Sequence, residues 1–180
     1  MDISRDLIKK AVHGDIEAFE AIYRATSRFV FHIALRMTNN RANAEDITQE
    51  VFIKVHKNLW KFRFESQIST WMYRITVNTV MNYMRKSPKS TVPLASLEGY
   101  LPDARHEEFE RNEQRRLIGR LLNELNPDQR AVLVLREFEG LDYREIARVL
   151  KIKINTVRTR LKRAREKLME RGREAVRNEL

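Results

Sequence analysis

Apolar side chains recur along this chain every three or four residues, and only five glycines and four prolines interrupt them. That spacing is helical, and no convincing run alternates apolar with polar at every second residue, so the predicted fold class is all-α. The stretch GDIEAFEAIYRATSRFVFHIALRMT offers Asp15 as a helix cap, with Ala18, Phe19, Ile22 and Tyr23 on one stripe and Phe29, Ile33 and Met37 on later turns. A second helix starts near Ala42 and buries Ile47, Val51, Val55 and Leu59, leaving Asp46, Gln49, Glu50 and Lys54 on its outer side. A third, STWMYRITVNTVMNYMRK, is apolar on two sides. Ile68, Trp71, Met72 and Thr79 gather round Ile75, while Tyr73, Val77, Val80 and Met84 lie opposite, and a helix of that kind has to bury both faces. A central place in a three- or four-helix bundle is the simplest account.

The helical texture lapses in KSPKSTVPLASLEGYLPDARHEEFE, which holds three of the four prolines. The chain therefore divides into a helical domain over residues 1–88, a flexible linker over 89–112 and a second helical domain over 113–180. Charge follows the same cut: residues 1–90 carry a net +6, residues 91–112 a net −3 and residues 113–180 a net +7. Two basic lobes flank an acidic tether.

In the second lobe the capping chemistry is explicit. Asn126 precedes Pro127 at a helix start, Gly140 stands where that helix should end, and Asp142 with Glu145 three residues on forms a capping-box pattern. A short helix to Leu150, a turn over Lys151 to Lys153 and a longer helix capped by Asn155 then follow. Val157, Leu161, Ala164 and Leu168 form that helix's apolar stripe and pack on Ile146, Ala147 and Leu150. Short helix, tight turn and longer basic helix make up the helix-turn-helix, whose second helix enters the DNA major groove. Thr156, Arg158, Thr159, Lys162 and Arg163 point away from the stripe and supply the hydroxyls and forked donors that groove readout uses. Arg160, Arg165 and Lys167 lie nearer the flanks, where they suit phosphate. Residues 151–167 carry eight basic side chains against Glu166 alone, so binding should depend strongly on salt.

Composition strengthens the nucleic-acid reading. The 180-residue chain carries a formal net charge of +10, and a third of its residues are charged, which favours a polyanionic partner over a small substrate. It has no cysteine, and its four histidines, His13, His32, His56 and His106, stand at no metal-ligand spacing, so no metal or cofactor is expected. No apolar run reaches the roughly 20 residues of a membrane span, and the first ten residues lack an apolar signal core, so a cytoplasmic protein without membrane insertion is expected. No convergent acid, base or metal constellation supports a hydrolase or nuclease. One further cluster stands out: Trp60, Phe62, Phe64, Trp71 and Tyr73 crowd together with Lys61, Arg63 and Arg74, just before Asn78 and Asn82. Aromatics interleaved with bases are what unpaired nucleotides stack on, though core packing would explain them equally.

GDIEAF, AEDITQEVFIKVHKNLWKF, STWMYRITVNTVMNYMRK, LNELNPDQRAVLVLREFEGLDYREIARVL and INTVRTRLKRAREKL occur in one order and spacing, and together they resemble the extracytoplasmic-function group of the bacterial sigma-70 family. The resemblance covers nearly the whole chain and implies a non-enzymatic transcription initiation factor. It implies that Asp46, Gln49, Glu50 and Lys54 dock on the clamp helices of the largest subunit of core RNA polymerase, and that the flap of the second subunit is a further contact. It implies that Phe62, Phe64, Trp71, Asn78 and Asn82 open the minus-ten promoter element and hold a flipped base. It assigns the minus-thirty-five element to Thr156, Arg158, Thr159, Arg160, Lys162 and Arg163. An anti-sigma factor masking both lobes is implied as well. Family members often have Pro and Gly in the turn before the recognition helix, where this chain has Lys153 and Asn155. The competing reading is a helix-turn-helix repressor or activator that binds a palindrome as a symmetric dimer.

Overall fold

A computed structural model describes residues 3–86 and 116–178, with side chains to Arg173. The tether expected over 89–112 lies outside the described residues, all of whose regular elements are helical. The first lobe contains α1 (Arg5–Val12), α2 (Ile16–Thr38), α3 (Arg41–Asn58) and, after a single 3-10 turn at Leu59–Lys61, α4 (Ile68–Lys86). The second contains α5 (residues 116–123), α6 (Pro127–Leu133), a π-helical turn at Val134–Phe138, α7 (Tyr143–Leu150) and α8 (Ile154–Asn178).

Local chemistry sets most of these boundaries. Asp15 caps α2 as the sequence predicts, its Oδ1 accepting from the Ala18 N–H at 2.9 Å. Asn39 ends α2 in the left-handed region at φ 52°, which asparagine tolerates better than most non-glycine residues, and Asn40 caps α3 by accepting from the Asn43 N–H. Asn126 and Gln129 form a reciprocal capping box with Pro127 at the first position, and Asp142 and Glu145 form the expected one on α7. The helix expected to run to Gly140 instead widens into the π turn, and the chain reverses at Gly140 with φ +71°.

One correction falls at the turn of the helix-turn-helix. Asn155 does not cap α8. The helix begins at Ile154, and the Lys153 carbonyl receives the first N–H groups, from Thr156 and Val157. The left-handed residue that glycine would favour is Lys151, at φ 53°, which lets the chain turn after α7.

In the first lobe Ile22, Val30, Ile33 and Met37 of α2 meet Ile47, Val51 and Val55 of α3 and Met72 and Val80 of α4, all fully buried. The buried hydroxyls of Thr26, Thr38 and Thr76 are satisfied by donating to the carbonyls four residues back. Leu135, Ile146, Val149, Val157, Leu161 and Ala164 close the core of the second lobe. The two-sided apolar pattern of α4 has a specific cause: α4 packs against α2 and α3 of its own lobe and also against α7 of the second. The lobes touch each other directly, with α6 and the π turn lying on α2.

Candidate nucleic-acid interface

On α8 the buried stripe of Val157, Leu161 and Ala164 points inward, and Arg158, Thr159, Lys162 and Arg163 are exposed on the other side with Thr156 partly so. Arg158 is aimed by Asn155, whose Oδ1 accepts from its Nη1 at 3.2 Å. Lys162 stands 3.8 Å from Glu166 in an open i,i+4 pair, a contact too exposed to hold it. Arg163 has no acidic partner among the described residues. This is the sequence-predicted reading face, brought together on little more than two helical turns.

The flanking cations behave differently. Arg160 pairs with Asp128 at 2.6 Å, Arg165 pairs with Glu137 at 2.7 Å, and Lys167 donates to the Glu124 carbonyl. The Arg165 guanidinium is held above its usual pKa, first by the hydrogen bond to Glu137. The acidic partners absent along α8 itself are supplied to Arg160 by α6 and to Arg165 by the π turn, and Lys167 takes a backbone carbonyl in the turn after α5, so these three side chains fasten α8 to its lobe. Arg160, expected at the flank as a phosphate contact within the minus-thirty-five set, is turned toward α6, the helix that supports α8.

The second face is on α4. Trp71, Arg74, Ile75, Asn78, Asn82 and Arg85 share an arc of about 100° at 3.6 residues per turn. None of the six is buried, whereas Met72, Thr76, Thr79 and Val80 fill the covered side. Asn78 is exposed, and Asn82 accepts from the Arg85 guanidinium at 2.5 Å. At the start of α4, Phe62 is buried at 6% exposure, its ring 5.0 Å from Phe64 and 5.6 Å from Trp71. Phe62 therefore supports the two half-exposed rings from below and cannot itself stack on a base in this conformation.

Phe64 adopts φ 58°, a left-handed conformation that costs a bulky residue about 1–3 kcal/mol and concentrates at functional sites. Its ring lies under the Arg5 guanidinium at 5.3 Å, beside an open cleft of about 480 Å³ between α1 and the loop from Phe62 to Ser69. Gln67, Ser66 and Ser69 bring polar groups to that cleft. Its volume is within the range of clefts that admit small organic groups.

The predicted docking residues share one side of α3. Asp46, Gln49 and Glu50 are exposed, while Lys54 is half-buried, pairs with Glu50 at 2.6 Å and donates to the Thr79 hydroxyl at 3.1 Å. Lys54 thus partly serves to tie α3 to α4. Two apolar residues on that side were not assigned to docking from sequence: Ile53, 54% exposed, and Trp60, read there as part of the aromatic cluster and 67% exposed with its Nε1 donating to the Lys57 carbonyl. Their spacing of four and eleven residues from Gln49 was the available signal. A second unforeseen surface is an apolar groove of about 480 Å³ lined by Ile118, Leu121, Phe138, Leu168 and Met169. It depends on the π turn bringing Phe138 beside α8, which no local pattern announces.

Comparison with known proteins fits this geometry. Residues 22–89 match the family described as Sigma-70 region 2, and residues 115–168 match Sigma-70, region 4. The chain is 33% identical over 173 residues to the RNA polymerase sigma-H factor of Pseudomonas aeruginosa, covering 90% of each protein. It is 33% identical over 171 residues to the ECF RNA polymerase sigma-E factor of Escherichia coli K12, covering 89% of each. Among solved structures, CnrH in complex with the cytosolic domain of CnrY shares the fold with a TM-score of 0.71 at 22% identity, over 94% of this chain and 96% of that one. The sigma factor RpoE from Bartonella quintana, in complex with the anti-sigma factor NepR, has a TM-score of 0.66 at 21% identity, over 86% of this chain and 96% of that one.

Proposed function

The chain belongs to the sigma-70 family of RNA polymerase sigma factors, in its extracytoplasmic-function group, and from that premise we propose how its surfaces divide the work of promoter recognition. Residues 1–88 bind core polymerase and open the minus-ten element, and residues 113–180 read the minus-thirty-five duplex. The observation that carries this division is the presence of two chemically different nucleic-acid faces in one chain. Trp71, Asn78 and Asn82 line an aromatic and amide surface beside a cleft bordered by Phe64, suited to a flipped base that stacks and presents an edge. Thr156, Arg158, Thr159, Lys162 and Arg163 form a basic face on a recognition helix, suited to paired DNA. The chain acts through binding alone.

On the protein side, Asp46, Gln49 and Glu50 dock on the clamp helices of the largest polymerase subunit, with Ile53 and Trp60 as apolar anchors on the same side. The apolar groove of the second lobe fits an amphipathic helix and takes the flap of the second subunit. Two solved relatives are complexes with protein partners, one of them named as an anti-sigma factor, which supports an anti-sigma factor as a regulator of this chain.

The division is tested by permanganate footprinting on reconstituted holoenzyme. Asn78→Ala should reduce the reactivity of melted thymines while leaving binding to a minus-thirty-five duplex fragment unchanged. Equal loss of both would assign Asn78 to the fold and not to the site.

A further inference from the structure

We propose that Arg5, on α1, clamps an unpaired base of the minus-ten element against the ring of Phe64, so that α1 forms a second wall of the minus-ten site. The proposal rests on the reading of α4 and its cleft as that site. It adds a helix that the family match does not include, because region 2 is matched only from residue 22 and α1 ends at Val12.

Local chemistry fixes where Arg5 stands. Ser4 caps α1, its Oγ accepting from the Leu7 N–H at 3.2 Å, while Ile8 and Ala11 bury the opposite side of the helix in the first lobe. α1 packs on α2 and on the 3-10 turn at Leu59–Lys61, which sets its first turn beside the loop that leads into α4. From there the exposed Arg5 side chain reaches the loop, its guanidinium carbon 5.3 Å from the centre of the Phe64 ring. Among the described residues no carboxylate pairs with Arg5, so its charge is left to the ring and to whatever enters the cleft.

Phe64 presents that ring from a backbone position that glycine would occupy without strain, at φ 58°. The ring is only partly covered, so burial does not account for a bulky side chain there. It stands edge-on to Phe62 at 5.0 Å, and Phe62 in turn lies 5.6 Å from Trp71 on the open arc of α4. One aromatic row therefore runs from the α4 face to the cleft, and Arg5 stands at its far end. Ile3 and Ile8 line the cleft on the α1 side, facing the polar loop from Glu65 to Gln67.

A base fits between a ring and a guanidinium because both present flat faces, one through its π system and the other through its delocalised plane. Such a sandwich needs two contact distances of about 3.5 Å, so Arg5 has to give way by roughly 2 Å from its present 5.3 Å. An exposed arginine side chain does this by rotamer change alone, leaving α1 in place. In the free chain Arg5 covers the ring face that the base will take, and in the complex it covers the base. Its charge also counters the phosphates on either side of that base. Lys9, one helical turn along and exposed, adds charge there without a flat face. Stacking tolerates any base, so the clamp sets how firmly the base is held, and Glu65, Ser66 and Gln67 are left to discriminate its edge.

The test uses reconstituted holoenzyme and a promoter template opened over the minus-ten element, with each non-template base of that element removed in turn to leave an abasic site. At least one position should be sensitive to base removal in the unaltered holoenzyme. Arg5→Ala should weaken binding to the intact template about three- to tenfold, and should cause no further loss on the template abasic at one such position. Phe64→Gly, which removes the ring and suits the backbone, should cancel the effect of Arg5→Ala, so that the double variant binds no worse than Phe64→Gly alone. Arg5→Lys, with the charge but not the plane, should stay close to Arg5→Ala. Lys9→Ala, a loss of charge alone, should weaken intact and abasic templates alike. Thermal unfolding of Arg5→Ala should match that of the unaltered chain, since the side chain is exposed. An Arg5→Ala loss that persists on every abasic template, full recovery in Arg5→Lys, losses that add with Phe64→Gly, or a lowered melting temperature would overturn the clamp. A base-sensitive position with Arg5→Ala binding normally overturns the clamp alone. If the unaltered holoenzyme is sensitive at no position, the minus-ten reading of the site falls and the clamp falls with it.

Discussion

The helices α4 and α8 each bury one side in their own lobe and offer the other to nucleic acid, yet what they offer differs in kind. The open arc of α4 is aromatic and amide, with Arg74 and Arg85 at its margin, while that of α8 is hydroxyl and cation. Stacking and edge recognition require a base already out of the duplex, whereas forked donors and phosphate contacts act on DNA that stays paired. The cations of α8 divide again, because Arg160, Arg165 and Lys167 are engaged with Asp128, Glu137 and the Glu124 carbonyl and only the outward set remains for DNA. Charge density along a helix therefore overstates its DNA-binding face until the partners on neighbouring helices are known.

The contrast can be tested at several strengths. The largest effect is expected from the buried side of α8: Leu161→Ala should cost about 2–5 kcal/mol of stability in urea unfolding, while Arg163→Ala should change stability by no more than about 0.5 kcal/mol. Arg158→Ala and Lys162→Ala should each weaken holoenzyme binding to promoter duplex by about 1–3 kcal/mol, with little effect on a template already opened at the minus-ten element. Phe64→Ala should reverse that pattern, losing about 1–3 kcal/mol on the opened strand and nothing on a duplex fragment. If both sets of changes weaken both templates alike, the two faces are not chemically distinct.

Smaller effects sharpen the sorting of cations. Arg160→Ala and Asp128→Ala should be non-additive in stability, with a coupling of about 0.2–1 kcal/mol and only a minor loss of duplex affinity, because Arg160 serves its lobe. A direct loss of sequence preference in Arg160→Ala would place it on the reading face. The least effect concerns acid. The Asp142 carboxylate is held below its usual pKa, first by the Glu145 N–H, so its contribution to capping α7 is present at neutral pH. That contribution is lost only as pH falls through the lowered value, and Asp142→Asn should flatten this part of the pH-stability curve.

What the sequence revealed of this fold followed the range of the interactions involved. Asp15, Asn126 and Asp142 each cap through an N–H three residues on, so each was readable in a short window. The cap of α8 was misplaced because the left-handed position fell at Lys151, a residue type that seldom announces it. Trp71 and Ile75, on a stripe that the two-sided pattern expected to be buried, lie with Asn78 and Asn82 on the open side of α4, while Phe62 proved to be the buried support of its cluster. The apposition of the lobes was not legible at all. Its contacts join Tyr73 to Glu139 across 66 positions and Arg36 to Glu139 across 103, and no periodicity encodes such a pairing. The two-sided apolar pattern of α4 did record that something would cover it, without recording what.

The central claim, that one chain directs polymerase to a promoter through two chemically different faces, is tested most directly by transcription from fragmented genomic DNA of its source with core polymerase, mapping the 5′ ends of the RNA. With the chain present, new starts should appear that share two upstream elements spaced as a minus-ten and a minus-thirty-five, and neither polymerase nor chain alone should give them. If no such starts appear and the chain instead binds a palindromic duplex tightly as a dimer without polymerase, the claim is wrong.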